Sequence, residues 1–189
     1  MPFEIIKTTL DGILIIQPKI FPDNRGEFAE LYKYSEFSEA GITDRFVQTN
    51  FSCSKQGVLR GMHYQIDPAA QGKLMQVLHG AIFDVAVDIQ KDSPTYGKWL
   101  GITLTAERKN MLFIPKGFAH GLCVLEDDTH VVYNCTSEYS PEHERGLRWD
   151  DPALGITWPI DKPIIADRDA NFPTLEQMDH KYKRILKTR

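Results

Sequence analysis

Short runs rich in Val, Ile, Phe, Tyr and Thr follow one another along this chain, cut by Gly, Pro, Asn and Asp, and that spacing leaves few folds open. "GILIIQPKIF", "GEFAELYKY", "FVQTNFSCS", "GVLRGMHYQ", "KLMQVLHG", "AIFDVAVDIQ", "WLGITLT", "NMLFIP", "HGLCVLE" and "THVVYNCTSEY" all read as strands. In "AIFDVAVDI" Phe83, Val85, Val87 and Ile89 fall on one face, with Asp84, Ala86 and Asp88 on the other. "HG" at 79–80 predicts a tight hairpin between its flanking runs. Helical signals are sparse. "SEFSEAG" predicts a short helix capped by Ser35 and stopped by Gly41, and "TLEQMDHKYKRIL" a helical tail over about 174–186, opened by Thr174 with Gln177. Many short strands with few helices predict one all-β domain over 1–189, an antiparallel sandwich or barrel with short peripheral helices. Folds of this kind take ligands at the barrel mouth.

Composition narrows the function. At 189 residues, 42% hydrophobic and 25% charged, the chain has the balance of a soluble globular protein. With 22 basic against 26 acidic residues it carries a net charge of −4, which argues against nucleic acid as a partner. No apolar run approaches the roughly 20 residues that span a bilayer, so no membrane partner is expected. The start, "MPFEIIKTTL", lacks the order of a secretory signal. Cys53, Cys123 and Cys135, odd in number and widely spaced, fit free thiols in a cytoplasmic protein.

The familiar cofactor signatures are missing. There is no GxGxxG, no GxxxxGK[ST] and no GxSxG, and the six histidines form no HxH pair, so no cofactor and no metal are expected. His63 in "VLRGMHYQ" stands out. Without a bulge, Leu59, Gly61 and His63 point one way, and Arg60, Met62 and Tyr64 the other. A lone strand histidine is usually a core residue satisfied by one hydrogen bond. Here Gln48, Asn50, Arg60, Lys73, His120 and Tyr133 also sit on strand-like segments. Burying that many polar groups costs several kcal/mol unless they are paired or used, so a polar barrel interior points to a site. Arg25, Arg60, Lys73 and Arg168 offer positive charge to an anionic ligand.

Five long motifs then act together: "DNRGEFAELY", "FVQTNFSCSKQGVLRGMHYQ", "QGKLMQVLHGAIFDVAVDIQKDSPTYGKW", "FIPKGFAHGLCVL" and "EYSPEHERGLRWDDPALGITWP". In series, from about Asp11 to Pro173, they resemble the dTDP-4-dehydrorhamnose 3,5-epimerase family. The resemblance implies a cupin-like jelly roll, a homodimer whose N-terminal strands extend the partner's sheet, and catalysis without metal. It implies His63 as general base, Asp169 of "ADRDANFP" as its orienting carboxylate, Lys73 beside the enolate and Tyr133 as the opposing acid. Arg25, Glu30, Gln48, Thr49, Asn50, Arg60, His120, Glu144 and Arg168 match positions that contact the nucleotide sugar, and Tyr139 an aromatic that stacks on thymine. Met62 and Tyr64 stand where Leu and Phe are commoner, and Arg168 where lysine is expected.

The implied chemistry needs these residue types. A ketone at C4 of a dTDP-linked 6-deoxy sugar acidifies the hydrogens on C3 and C5. Inversion asks for a base on one face and a proton donor on the other. A histidine titrating near neutrality suits the first role, and a phenol with reference pKa of about 10 suits the second. Two related reactions stay open on the residues alone: inversion at one centre only, and movement of the ketone between C3 and C4. Taken singly, Tyr133 reads equally as a core residue, Lys73 as a solvated turn and Asp169 as a turn cap.

Overall fold

The computed structural model describes residues 2–178. Its strands in chain order are β1 (Phe3–Lys7), β2 (Leu14–Pro18), β3 (Ile20–Asp23), β4 (Gly26–Ala29), β5 (Gln48–Ser54), β6 (Val58–Gln65) and β7 (Lys73–His79). They continue with β8 (Ala81–Asp88), β9 (Trp99–Thr105), β10 (Met111–Ile114), β11 (Phe118–Val124), β12 (Thr129–Cys135), β13 (Glu144–Gly146) and β14 (Ile164–Ile165). Two short helices, α1 (Tyr34–Glu39) and α2 (Asp167–Ala170), complete the elements. One sheet runs β1-β2-β10-β7-β12-β5 and the other β13-β6-β11-β8-β9, while β3 and β4 pair only with each other. The predicted all-β sandwich is the fold observed, in the jelly-roll arrangement that the resemblance implied.

Alternation decides what each strand buries. Between the sheets, Ile82 and Ala86 of β8 meet Leu122 and Val124 of β11 and Met75, Val77, Leu112 and Val131 of the facing sheet. The other face of β8 is no less buried. Val85, Val87 and Ile89 pack with Met62, Leu147, Leu154, Leu175 and Met178, so the C-terminal segment covers the outside of this sheet. The period read in "AIFDVAVDI" holds, and it turns Asp84 inward, onto the face of Ile82 and Ala86.

Three local expectations change. The 79–80 hairpin does not form, because β7 lies between β10 and β12 whereas β8 lies between β11 and β9. Gly80, with φ +74, instead carries the chain from one sheet to the other, and a Cβ there would sit 2.3 Å from the Thr129 hydroxyl. Helix α1 begins at Tyr34, so Ser35 lies inside it and its N-cap position is Lys33, without a side-chain cap. Gly41 does stop it, at φ +94, where the Gly41 N–H donates to the Ser38 carbonyl. The run from Gly26 keeps strand geometry only to Ala29. The helical tail over 174–186 lies mainly outside the described residues; at its start the Thr174 N–H donates to Gln177 Oε1 at 3.1 Å, and residues 175–177 form a turn.

The parity of β6 also changes, and this shapes the site. His63 stands opposite His120 and Arg60 opposite Leu122, so two residues of β6, Gly61 and Met62, face the single Gly121 of β11. That bulge brings Arg60 and His63 onto one face, the inner one, and turns Met62 outward. Gly61 is required there. Its φ is +117, and a Cβ would lie 2.7 Å from Gly121 Cα and from the His120 carbonyl oxygen.

Candidate active site

The bulge supplies half of a dyad and the C-terminal segment the other half. β14 pairs in parallel with Val58 and Leu59, and the single helical turn that follows sets Asp169 beside the bulge. Asp169 is buried; its Oδ2 accepts the Gly61 N–H at 2.9 Å and its Oδ1 lies 2.9 Å from His63 Nε2. Burial raises the Asp169 pKa, but the hydrogen bonds from His63 and Gly61 outweigh it and hold the carboxyl below its ordinary range. An ionised carboxylate only accepts, so His63 carries its proton on Nε2 and keeps a lone pair on Nδ1. Phe172 meets the imidazole edge to face at 5.7 Å, over a glycine, Gly146, whose Cβ would fall 2.2 Å from that ring.

Around the dyad runs a chain of polar contacts. Arg168 Nη1 donates to Glu144 Oε2 at 2.8 Å, its Nη2 donates to Oε1 at 3.3 Å, and Nη2 also lies 3.3 Å from His63 Nε2. Glu144 Oε2 accepts the Tyr139 hydroxyl at 2.9 Å. The Tyr139 N–H donates to Gln48 Oε1, and Gln48 Nε2 donates to Asn50 Oδ1 at 2.8 Å. The facing sheet contributes Lys73 and Tyr133. Burial pushes the Tyr133 phenol up, with Cys135 adding to the rise and Arg60 opposing it. Burial pulls the Lys73 ammonium down, against Cys135, Asp84 and Glu144. These couplings place Tyr133 and Lys73, from one sheet, in the electrostatic reach of Arg60, Glu144 and Asp84 from the other.

An imidazole, a phenol and an ammonium thus bear on one polar region, a set of groups able to move a proton across an activated carbon. The model of the dTDP-4-dehydrorhamnose 3,5-epimerase family matches residues 7–177. This chain belongs to that family. The dTDP-4-dehydrorhamnose 3,5-epimerase of Shigella flexneri is 51% identical over 178 residues, covering 94% of this chain and 98% of its own length. The crystal structure of the dTDP-6-deoxy-D-glucose-3,5-epimerase of Legionella pneumophila, in complex with dTDP-4-keto-L-rhamnose, superposes with a TM-score of 0.92 at 46% identity, over 96% of this chain and 97% of that one. A 3'-monoepimerase of Streptomyces bikiniensis, in complex with dTDP-quinovose, is more distant: 36% identity and TM-score 0.84, over 89% and 86% of the two chains.

Against the residues the epimerase resemblance marked, the structure brings His63, Asp169, Lys73, Tyr133, Gln48, Asn50, Arg60, His120, Tyr139, Glu144 and Arg168 into this region. Arg60 donates to Ser54 Oγ at 3.1 Å, and His120 is buried against Asp84. Three others stand apart. Thr49 is on the opposite face of β5 and donates to Asn134 Oδ1. Arg25 is exposed on the β3–β4 hairpin and paired with Asp23. Glu30 lines a cleft of about 440 Å³ with Pro2, Phe21, Phe28 and Lys33. Asp84, Cys135 and Phe172 join this region beyond the residues that the motifs marked. Cys135 was legible as the residue two beyond Tyr133, but Asp84 was not, because β8 is buried on both faces and its sequence does not say which face turns inward. Cys53, Asp128 and His130, a trio of metal-ligating types, lie on the far halves of β5 and β12 and the turn before β12. No helix among the described residues is long and apolar enough to cross a membrane.

Proposed function

We propose that this family member inverts C3 and C5 of dTDP-4-dehydro-6-deoxy-D-glucose to give dTDP-4-dehydro-L-rhamnose, with the His63–Asp169 dyad as base and Tyr133 as acid. The observation that carries the assignment of roles is the 2.9 Å contact of His63 Nε2 with Asp169, which leaves Nδ1 free to take a proton, with a half-buried phenol on the facing sheet. His63 removes the hydrogen next to the ketone, and the electrons of that C–H bond pass to the C4 oxygen. The Lys73 ammonium meets the enolate charge more strongly than it meets the neutral ketone, and one such donor is typically worth about 3 kcal/mol. Tyr133 then gives its proton to the opposite face of the same carbon, and the phenolate recovers one by way of solvent. Arg60 and Arg168 suit the diphosphate, and the exposed ring of Tyr139 suits the thymine base.

The reading extends to a homodimer working in the cytoplasm without metal or cofactor. Phe21 and Phe28 are exposed on a hairpin that pairs only with itself, and Phe51, Leu78 and Val47 are exposed on the first sheet and its margin. Such surfaces fit a second copy of the chain whose hairpin delivers Arg25 and Glu30 to the neighbouring site. Likeness to a 3'-monoepimerase favours inversion at one centre as the second reading. Replacing His63→Ala and Tyr133→Phe tests the roles. Each variant folds normally and loses about 10²–10⁴ of turnover; near-wild-type rates in both would remove the assignment.

A further inference from the structure

Asp84 sits fully buried between the sheets. Its Oδ1 is 2.5 Å from His120 Nε2, and its Oδ2 is the one buried side-chain oxygen or nitrogen among the described residues with no hydrogen-bond partner. Register builds this pair. Leu122 stands opposite Asp84, which sets His120 one diagonal away on the same inner face, and His120 stands directly opposite His63. The molecule therefore holds two histidine–aspartate pairs side by side, each joined through Nε2, of which the proposed reaction uses one.

The charged groups facing His120 are Asp84 from β8, Lys73 from β7 and His63 from β6. Burial pulls the His120 imidazole below the ordinary histidine range, against the pull of Asp84, and keeps it neutral at neutral pH. A neutral imidazole has one N–H and one lone pair. A carboxylate only accepts, so the Asp84 carboxylate takes the N–H at Nε2. Nδ1 is left as an acceptor, with no protein partner among the described residues.

We infer that Asp84 is a positioning residue that fixes His120 as a hydrogen-bond acceptor for a hydroxyl of the bound sugar, and not as a donor to its ketone. This rests on the 4-keto sugar reading above. In such a sugar the ketone oxygen only accepts, so the Nδ1 lone pair repels it, while the hydroxyls on C2 and C3 can donate. His120 thereby turns the ring so that its carbonyl faces Lys73. The Asp84 carboxylate also favours the charged form of that ammonium.

The nitrogen shifts of the wild-type imidazole test this directly. In ¹⁵N-labelled protein at pH 7.5, His120, assigned by its loss in His120→Asn, shows Nε2 protonated and Nδ1 bare; a proton on Nδ1, in the other tautomer or an imidazolium, overturns the inference. Asp84→Asn, whose amide releases the lock, lowers kcat/KM for dTDP-4-keto-6-deoxyglucose by about tenfold. It leaves the Kd for dTDP, which lacks the sugar, unchanged. An unchanged kcat/KM, or an equal weakening of dTDP, also overturns it. Failure of the epimerase reading would show separately, as no solvent exchange at C3 or C5 in the wild-type protein.

Discussion

Lys73 and Tyr133, two of the side chains proposed to act on the sugar, are shifted in opposite directions, and this sets the expected alkaline behaviour. Burial lowers the Lys73 pKa and raises that of Tyr133, so the ammonium gives up its proton more readily than a free lysine while the phenol holds its own longer than a free tyrosine. The alkaline limb of kcat/KM therefore falls below the ordinary lysine value of about 10.4. It belongs to Lys73, so the residual activity of Tyr133→Phe keeps the same limb; a limb that vanishes with the phenol would contradict this. Asp169 obeys the carboxylate rule. Its depressed pKa contributes stability that is complete above the unfolded value of about 3.9 and is lost as pH falls through the folded value. Asp169→Asn is expected to unfold with less pH dependence below pH 4, measured by urea titration, and to lose activity at neutral pH as the His63 tautomer is released. The identities of these residues came from motif resemblance. Their chemical states did not, since burial and hydrogen bonds to Gly61 or Asn50 have no trace in the string.

At the scale of elements, the bulge in β6 is the decisive device. A regular strand would send Arg60 and His63 to opposite faces; the extra residue puts both on the inner one. Gly61→Ala places a methyl group against the backbone of β11 at a positive φ, and a melting experiment should show a loss of about 1–3 kcal/mol. Turnover falls with it, because the Gly61 N–H also anchors Asp169. A variant as stable and active as wild type would mean that the bulge positions nothing. Strand existence was legible from the β-branched runs, and α1 from its apolar Phe37 and terminal Gly41. The fate of 79–80 was not. A glycine turn between two apolar runs looks the same whether the chain folds back on its sheet or crosses to the other, and only the partners β10 and β12 decide it.

For the whole molecule, the roles proposed for Arg25 and Glu30 turn on a second copy, because within one chain both stand apart from the site. If a second copy delivers them, mixing and reassociating His63→Ala and Arg25→Ala proteins restores activity, because one site in each mixed dimer then has both native residues. No recovery would assign both residues to their own subunit. Composition and strand density made the sandwich legible, and the ordered motifs made the family legible. Which apolar side chains stay exposed was not, because Phe28 and Phe51 are apolar strand residues like any others in the sequence. The central claim is that an imidazole and a phenol work from opposite sides of one keto sugar. Turnover of dTDP-4-keto-6-deoxyglucose in deuterium oxide, read by NMR of the product, tests it most directly. Deuterium at both C3 and C5 is the expected result, and label at one carbon alone, or at neither, would contradict it.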